Sequence, residues 1–263
     1  MVRRDAMEMR KSKTLEMLRA GKTVISTKCN TADPRIVEIA AIQGIPCVWV
    51  DIEHVANDYA VVERQINAAK IYNTDVLVRV PRGSYSDYIR PLELDATGIM
   101  VPHVMSVEDA EYVVHYTRFH PIGRRPVDGG NADAKYGLIS QEEYNRQANE
   151  QRFLVFQIED PEAMDDIDAI AAVPGYDILF YGPGDFSHSI GHSGEMSHPD
   201  VVDGFRKVAE AAKRHGKFAG TVGSMGNAQN LIDMGYQFIN IGADVITLGS
   251  FYGEVSAFAQ KLN

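Results

Sequence analysis

One apolar stretch of the sequence runs directly into acidic residues. Residues 153–158 are strand-like, and Glu159, Asp160 and Pro161 follow them at once. Two interpretations are open. In the first, Asp160 caps the next helix and Glu159 is exposed in a loop. In the second, Glu159 points into a site at the end of a sheet. Taken alone, the stretch favours the first interpretation.

Other apolar runs have the same character, because reactive residue types lie in or just after their last positions. These residues are Asp51 and His54 after residues 47–50, Arg79 within 76–80, His103 after 98–101, Gln157 beside Glu159, and Gly182, Pro183, Gly184 and Asp185 after 178–181. Their shared position indicates that folding brings these residues together. Whether it does so depends on how the strands that carry them are arranged.

The elements follow a regular alternation. Eight short Val- and Ile-rich runs are separated by amphipathic segments with helical spacing. The runs span residues 24–29, 47–50, 76–80, 98–101, 153–158, 178–181, 217–220 and 238–241. Near-continuous apolar strands between helices indicate a parallel sheet covered on both faces. The pattern predicts a single (β/α)8 barrel domain over residues 1–263, with a helix at 14–19 closing its bottom. A doubly wound sheet is the alternative, but no G-x-G-x-x-G follows the first strand.

In a barrel the carboxyl ends of all strands face one mouth, so the second interpretation of Glu159 becomes the favoured one. Glu159 and Asp185 are hard oxygen ligands that suit Mg²⁺ or Mn²⁺. His54 is a candidate base, and Asp51 could hold its imidazole in one tautomer. Arg79 would be a buried cation that pairs with a carboxylate or an anionic substrate. This set suits enolisation of a 2-oxo acid.

Composition excludes several other functions. The formal net charge of −10 argues against nucleic-acid binding, and no run of eighteen apolar residues predicts a membrane span. The charged N-terminus is unlike a secretory signal, and the chain has two cysteines, which predicts a cytoplasmic location. The longest interruption, residues 120–150, is rich in Gly, Asp and Asn and is expected to be a functional loop between a strand and its helix.

The sequence resembles the HpcH/HpaI aldolases, the metal-dependent class II pyruvate aldolases. The matching stretches are VWVDIEH (48–54), VLVRVP (76–81), GIMVPHV (98–104), HPIGRRPV (120–127), VFQIEDPEAM (155–164), LFYGPGDFSHSIG (179–191) and SHPDVVDGFRKV (197–208). They cover nearly the entire chain in order. The pairing of Q-I-E with G-P-x-D-x-S at this separation is the most specific of the likenesses.

The resemblance implies a role for each of these residues. Glu159 and Asp185 match the family's ligands for Mg²⁺, Mn²⁺ or Co²⁺. His54 matches its base, Asp51 matches the acid paired with that base, and Arg79 matches the arginine that stabilises the pyruvate enolate. Gly182 and Gly184 match positions whose backbone amides hold the pyruvate carboxylate, and Arg125 matches a loop arginine. Gln157 and Pro183 fall within the same substrate-binding stretches. It also implies a homo-oligomer, a hexamer built from dimers, in which the chain after Ile246 packs on another subunit, with a last helix near residues 255–261.

The expected reaction is reversible cleavage of a 4-hydroxy-2-oxo acid to pyruvate and an aldehyde, both small molecules. The loop at 123–131 departs from the family pattern by lacking a second arginine, so the aldehyde cannot be inferred from it. Lys28 would serve a rival Schiff-base mechanism. The alternatives are a related enolate-forming lyase, such as an oxaloacetate decarboxylase or an acyl-CoA lyase, and a non-catalytic homologue that binds a 2-oxo acid.

Overall fold

The computed structural model describes residues 7–262, and eight parallel strands close there into one barrel. Each strand pairs with the next along the chain, and the last pairs with the first. The strands are β1 (Val24–Cys29), β2 (Cys47–Asp51), β3 (Asp75–Arg79), β4 (Gly98–Val101), β5 (Phe153–Ile158), β6 (Ile178–Tyr181), β7 (Phe218–Gly223) and β8 (Tyr236–Ala243). The predicted (β/α)8 barrel is confirmed, and only β7 and β8 extend well beyond the predicted runs.

Helices follow the strands and surround them. They are α1 (Lys13–Arg19), α2 (Pro34–Ile42), α3 (Tyr59–Lys70), α4 (Tyr85–Glu93), α5 (Val107–Thr117), α6 (Gln141–Gln151), α7 (Pro161–Asp165), α8 (Ile167–Ala172), α9 (Pro183–Ser189), α10 (Pro199–Arg214), α11 (Ala228–Asp233) and α12 (Asp244–Gln260). Local signals fix several starts: the Asp58 side chain accepts from the Val61 amide at the start of α3, and Asp33 precedes Pro34 at the start of α2.

The barrel interior is apolar below and polar at the mouth. Alternate residues of a strand point inward, so the inward-facing set can be identified along each strand. Its lower layers form one buried cluster that includes Val24, Cys47, Trp49, Leu77, Met100, Val155, Phe180 and Phe238. Continuing the alternation toward the carboxyl ends places Asp51, Arg79 and Gln157 inward two residues later, and Lys28 inward four residues after Val24. The sequence therefore builds a packed floor beneath a charged mouth.

The opposite end of the barrel is closed by α1, as predicted. Leu15 and Leu18 of this helix are buried in the same apolar cluster as the lower strand residues. Asp75, at the start of β3, fastens the chain before the helix: its carboxylate accepts from the Ser12 hydroxyl and the Thr14 amide, both at 2.8 Å. The charged stretch of residues 1–6 lies outside the described part of the chain.

The segment between α5 and β5 was expected to be a loop at the mouth, and that expectation is wrong. It follows α5 and precedes β5, so it connects a helix to the next strand at the amino-terminal end of the barrel. Its end is anchored there, because the Arg152 guanidinium contacts the carboxylate of Asp95, just before β4. The segment also contains α6, a polar helix whose buried residues are Tyr144, Gln147 and Ala148.

The final helix, α12, begins eleven residues earlier than predicted and packs little against its own chain. None of its residues is buried. Its exposed apolar side chains include Ile246, Phe251, Tyr252, Val255 and Phe258. An apolar surface of this kind is typical of an interface with another molecule. In residues 7–262 no helix is both long enough and apolar enough to cross a bilayer.

Candidate active site

An open pocket of about 380 Å³ lies at the mouth of the barrel. Its lining combines predicted site residues with two floor residues and with residues of β1, β7, β8 and α12: Lys28, Trp49, Arg79, Gln157, Phe180, Gly182, Pro183, Gly184, Asp185, Val222, Gly223, Asn240, Gly242, Ala243 and Ile246. Six of the ten predicted site residues are therefore in the lining itself. The pocket forms where the apolar floor of Trp49 and Phe180, whose rings pack edge to face at 5.8 Å, meets the polar upper layer.

Asp51 organises one side of the mouth. It is fully buried, and its carboxylate contacts the guanidinium of Arg79 on the neighbouring strand, where the two residues are in register. Lys28 approaches from β1, with its Nζ 2.7 Å from Asp51 Oδ2. Burial raises the pKa of Asp51, but Arg79 and Lys28 together outweigh burial and lower it to about 2. Asp51 is therefore a fixed negative charge.

His54 is placed differently from the predicted pairing. Asp51 Oδ1 accepts hydrogen bonds from the backbone amides of Glu53 (2.9 Å) and His54 (3.3 Å). The His54 imidazole is 62% exposed, and its contact is with the Glu53 carboxylate at 3.5 Å. The strand, and with it the alternation of inward- and outward-facing side chains, ends at Asp51. His54, three positions later, therefore lies in the turn above the strand. Asp51 thus shapes the turn that carries His54 and does not hold its ring.

Glu53 is a site residue that had no role in the sequence interpretation. Its carboxylate lies 3.0 Å from Nε of Arg79, whose Nη2 contacts Asp51. The Arg79 guanidinium is therefore held between two carboxylates, and its carbon lies 5.0 Å from the Trp49 ring centroid. The signal was present in the sequence, because Glu53 stands between two residues already assigned to the site. Arg79 is oriented from three sides, as a planar donor facing the pocket requires.

Glu159 is buried, which rules out its being an exposed loop residue. Its oxygens accept from the Gln157 side-chain amide and from the backbone amide of His103 (3.2 Å). Burial raises the pKa of Glu159 to about 8; the His103 charge opposes this shift and the Asp185 charge adds to it. A buried carboxylate with so little positive charge around it is a suitable binding place for a cation.

Gly182 allows this carboxylate to lie against the next strand. A Cβ added at position 182 would lie 2.6 Å from Oε2 of Glu159 and 3.1 Å from Nε2 of Gln157, closer than packing permits. Asp185 follows in the first turn of α9, where it is exposed at the pocket edge, and Pro183 is the first residue of that helix. At Gly184 an added Cβ would meet no atom within 4 Å.

His103 and Asp160 form a second pair that was not assigned in advance. His103 has a left-handed backbone, with φ of 52°, and its Nδ1 is 3.0 Å from Oδ2 of Asp160 and 3.6 Å from Oε1 of Glu159. Asp160 precedes α7 but makes no side-chain capping bond. Burial lowers the pKa of His103, yet the neighbouring Asp160 and Glu159 carboxylates outweigh burial and raise it.

Arg125 does not lie with the other predicted site residues. It is buried in the segment between α5 and β5, where its Nη2 is 3.1 Å from both Oδ2 of Asp133 and the Tyr144 hydroxyl. Its guanidinium also lies over the Phe119 ring at 4.8 Å. The structure therefore shows Arg125 as a packing residue at the opposite end of its own barrel. Arg125 is not at the mouth of its own barrel because the segment follows its helix instead of preceding it.

Comparison with known proteins identifies the family. The sequence model of the HpcH/HpaI aldolase/citrate lyase family matches residues 29–249. The chain belongs to this family. A relative called 5-keto-4-deoxy-D-glucarate aldolase, from Klebsiella pneumoniae, is 31% identical over 87% of this chain and 89% of its own length. The enzyme of the same name from Escherichia coli K12 is 31% identical over 81% and 83%.

Solved structures agree with this assignment to the HpcH/HpaI family. An HpcH/HpaI aldolase from Desulfitobacterium hafniense superposes with a TM-score of 0.89 at 30% identity, covering 95% of this chain and 97% of the other. Macrophomate synthase superposes with a TM-score of 0.84 at 28% identity, covering 99% and 93%. A Mycobacterium tuberculosis citrate lyase β subunit, complexed with oxaloacetate and magnesium, shares the fold at 18% identity, a TM-score of 0.54 and coverage of 84% and 91%.

Proposed function

We propose that this family member is a class II aldolase that reversibly cleaves a 4-hydroxy-2-oxo acid to pyruvate and an aldehyde. The observation that carries the proposal is the juxtaposition, in one mouth, of an under-compensated buried carboxylate, Glu159, with the oriented guanidinium of Arg79. Cleavage leaves negative charge on the oxygen of the pyruvate enolate. A planar cation that is held in place before the reaction stabilises such charge without reorganisation.

The residues around the pocket support a divalent cation at Glu159 and Asp185. Glu159 lacks a strong cationic partner, Gly182 leaves space beside its oxygens, and both ligands are the hard oxygens that Mg²⁺, Mn²⁺ and Co²⁺ accept. Among residues 7–262 no group of three or more His, Cys, Asp or Glu is arranged to hold a metal ion, so two carboxylates would leave positions for substrate and water. When bound there, the cation would polarise the 2-oxo group as a Lewis acid.

The chain's own residues would then divide the remaining work. We assign Arg79 to the enolate oxygen, and Asp51 with Glu53 to holding Arg79 in position. We assign Gly182, Pro183, Gly184 and Gln157 to the pyruvate half, next to the carboxylates. His54, on the turn above Asp51, is the group proposed to take the proton from the 4-hydroxyl, and its exposed ring can move toward the substrate.

We also propose that the protein is a homo-oligomer in which another copy covers α12. Support comes from a seventeen-residue helix with no buried residue and a series of exposed aromatic and aliphatic side chains. A hexamer is the state that the resemblance favours. Light scattering at micromolar concentration is expected to give a mass several times that of one chain. A stable monomer would contradict this proposal.

Pyruvate proton exchange tests the aldolase proposal most directly. The metal-loaded protein should exchange the methyl protons of pyruvate in D₂O, because exchange needs enolisation but no aldehyde. Proton NMR follows the loss of the methyl signal, and the same sample is then given a panel of aldehydes to detect the aldol product. If the metal-loaded protein does not catalyse exchange, the pyruvate-enolate proposal is wrong.

A further inference from the structure

Positive charges converge at the amino-terminal end of the barrel, opposite the mouth. Arg10 precedes α1, Lys70 is the last residue of α3, Lys135 belongs to the segment between α5 and β5, and Arg152 directly precedes β5. Each of them contacts Asp95, through its carboxylate or, for Arg10, through its backbone carbonyl. Four distant parts of a chain with a net charge of −10 therefore place a cation at one point.

The buried aspartates at this end are already paired with arginines. Asp75 lies 3.1 Å from Arg10, and Oδ1 of Asp95 contacts Arg152. Asp133, whose charge also reaches Arg152, is bound within its own segment by the arginine and the tyrosine hydroxyl described above. Pairing each aspartate with one arginine leaves the two lysines as surplus positive charge.

Lys70 and Lys135 share one oxygen of this network. Their Nζ atoms lie 2.8 and 3.8 Å from Oδ2 of Asp95, so they are no further apart than these two distances combined. Lys70 also donates to the Asn67 side chain at 3.4 Å, whereas the Lys135 contact is longer than a hydrogen bond. The lysine side chains are 23% and 32% exposed, while Asp95 is fully buried. The unused N–H groups of both ammoniums are therefore available to a ligand from solvent.

The backbone at this contact is unusual on both sides. Asp95 has a φ of 74°, and Lys135, Tyr136 and Gly137 follow one another with φ of 53°, 54° and 80°. Asp95, Lys135 and Tyr136 are three of the five non-glycine residues with positive φ among residues 7–262. Such a backbone is unfavourable for a residue with a Cβ and persists where the surrounding structure holds a group in place. Here it brings the Lys135 ammonium to Asp95.

Two further observations indicate that the positive charge is incompletely compensated. Burial lowers the pKa of Lys70, the Asp95 charge opposes this shift, and the charges of Arg10 and Lys135 lower the pKa further. The buried Nε atoms of Arg10 and Arg152 have no hydrogen-bond partner in the described part of the chain. An anion beside the two lysines would compensate the surplus charge.

We propose that Lys70 and Lys135 form a second, non-catalytic site that binds a dianionic phosphate group, as inorganic phosphate or as a phosphate monoester. A lysine ammonium is a compact point charge, so it recognises the charge of an anion more than its shape. Two ammoniums on one carboxylate oxygen favour a dianion over a monoanion. The bound phosphate ties the segment between α5 and β5 to the end of α3. Because the site lies at the other end of the barrel, the inference does not depend on the aldolase proposal.

Isothermal titration calorimetry at constant ionic strength and about pH 8, where both phosphates are dianions, measures the binding of inorganic phosphate, glycerol 3-phosphate and acetate. Wild type should bind both phosphates and bind acetate more weakly. Lys135→Met should weaken phosphate binding about 10- to 100-fold, the size expected for a lost charge-assisted hydrogen bond. Lys135→Arg should retain most of the affinity, and a melting curve establishes that each variant folds.

Lys22→Met is the matched control, because Lys22 is an exposed lysine just before β1, at the same end of the barrel. It removes the same charge and should bind phosphate like wild type. Unchanged phosphate affinity in Lys135→Met would overturn the inference, because the anion would then bind elsewhere. Equal losses in both methionine variants would overturn it too, because they would reflect net charge and not a site.

The wild-type protein tests the ligand class. Absence of phosphate binding, or acetate binding as tight as phosphate binding, contradicts a dianion site. Of the two phosphates, the one that binds more tightly identifies whether the site takes the free ion or a monoester.

Discussion

Both ends of the barrel bury a network of charges, and the networks differ in how completely they are paired. At the amino-terminal end, Asp95 contacts Arg152, Lys70 (2.8 Å) and Lys135 (3.8 Å). Burial raises the pKa of Asp95, but the charges of Arg152, Lys70 and Arg10 outweigh burial and lower the pKa. At the mouth, the basic group in contact with Glu159 is a histidine at 3.6 Å, and burial raises the pKa of Glu159 to about 8.

The difference shows that buried charge does not by itself identify a reactive site. A carboxylate surrounded by lysine and arginine is part of the packing, and its ionised form is already stabilised. A buried carboxylate with too little positive charge has a place for a cation from solution. In this chain that imbalance coincides with an open pocket at the mouth, and the two together distinguish the mouth from the opposite end, which also buries charges.

The largest expected effect comes from removing the divalent cation proposed to bind Glu159 and Asp185 at the mouth. Dialysis against EDTA should abolish pyruvate proton exchange and aldol cleavage, because the only function proposed for Glu159 and Asp185 is to bind the cation that polarises the 2-oxo group. Added Mg²⁺, Mn²⁺ or Co²⁺ should restore both, and should also raise the melting temperature through preferential binding to the folded state. Full activity after metal removal, with borohydride trapping of pyruvate on a lysine, would establish a Schiff-base mechanism instead.

The next largest effect is expected from substituting one of two buried arginines, Arg79 and Arg152, each of which is paired with a buried aspartate. Arg79→Lys should lower pyruvate proton exchange by about 10²–10³, the usual cost of losing one preorganised oxyanion contact. The variant should melt within a few degrees of wild type, since lysine still places a charge beside Asp51.

Arg152→Lys is the counterpart at the amino-terminal end. Arg152 contacts Asp95 and also donates to the Arg10 carbonyl at 3.0 Å, a geometry that lysine cannot reproduce. This variant should lower the melting temperature and leave exchange per folded molecule close to wild type. The comparison fails if both substitutions affect exchange equally.

The smallest effect concerns the ionisation of Glu159 in metal-free protein. Its pKa is raised above the unfolded value, so the folded state binds the proton more tightly and loses stability as pH rises toward about 8. The slope cannot exceed about 1.4 kcal/mol per pH unit for one proton. Glu159→Gln removes this dependence. Its melting temperature relative to wild type should therefore be higher at pH 9 than at pH 5, and a constant difference would contradict the assignment.

The sequence predicted the barrel well because each strand is buried on both faces. The bounds of β4, β5 and β6 agree with the apolar runs, and the shared inward position of Asp51, Arg79 and Gln157 follows from strand alternation. Residues beyond the strand ends were less predictable, because turns do not preserve that alternation. For this reason the turn that carries His54 could not be built from spacing.

The errors at the other end of the barrel have a topological cause. The segment with Arg125 was taken as a loop leading into a helix, although a helical pattern over residues 107–116 precedes it. The order of elements therefore contained the information needed to place it at the amino-terminal end. The partners Asp133 and Tyr144 could not have been inferred, because they depend on how the segment folds onto itself.

The close approach at Gly182 affects packing, and it also restricts which mutations codon 182 can tolerate. Every missense change at codon 182 introduces a Cβ, which would meet Oε2 of Glu159 at 2.6 Å. No substitution is conservative there, so a saturation library should tolerate position 182 as poorly as Glu159 itself. Gly184, two codons later, faces open space, and its proposed contact uses only the backbone. Alanine and serine should survive selection at codon 184, so the two glycines of one motif would have different evolutionary freedom.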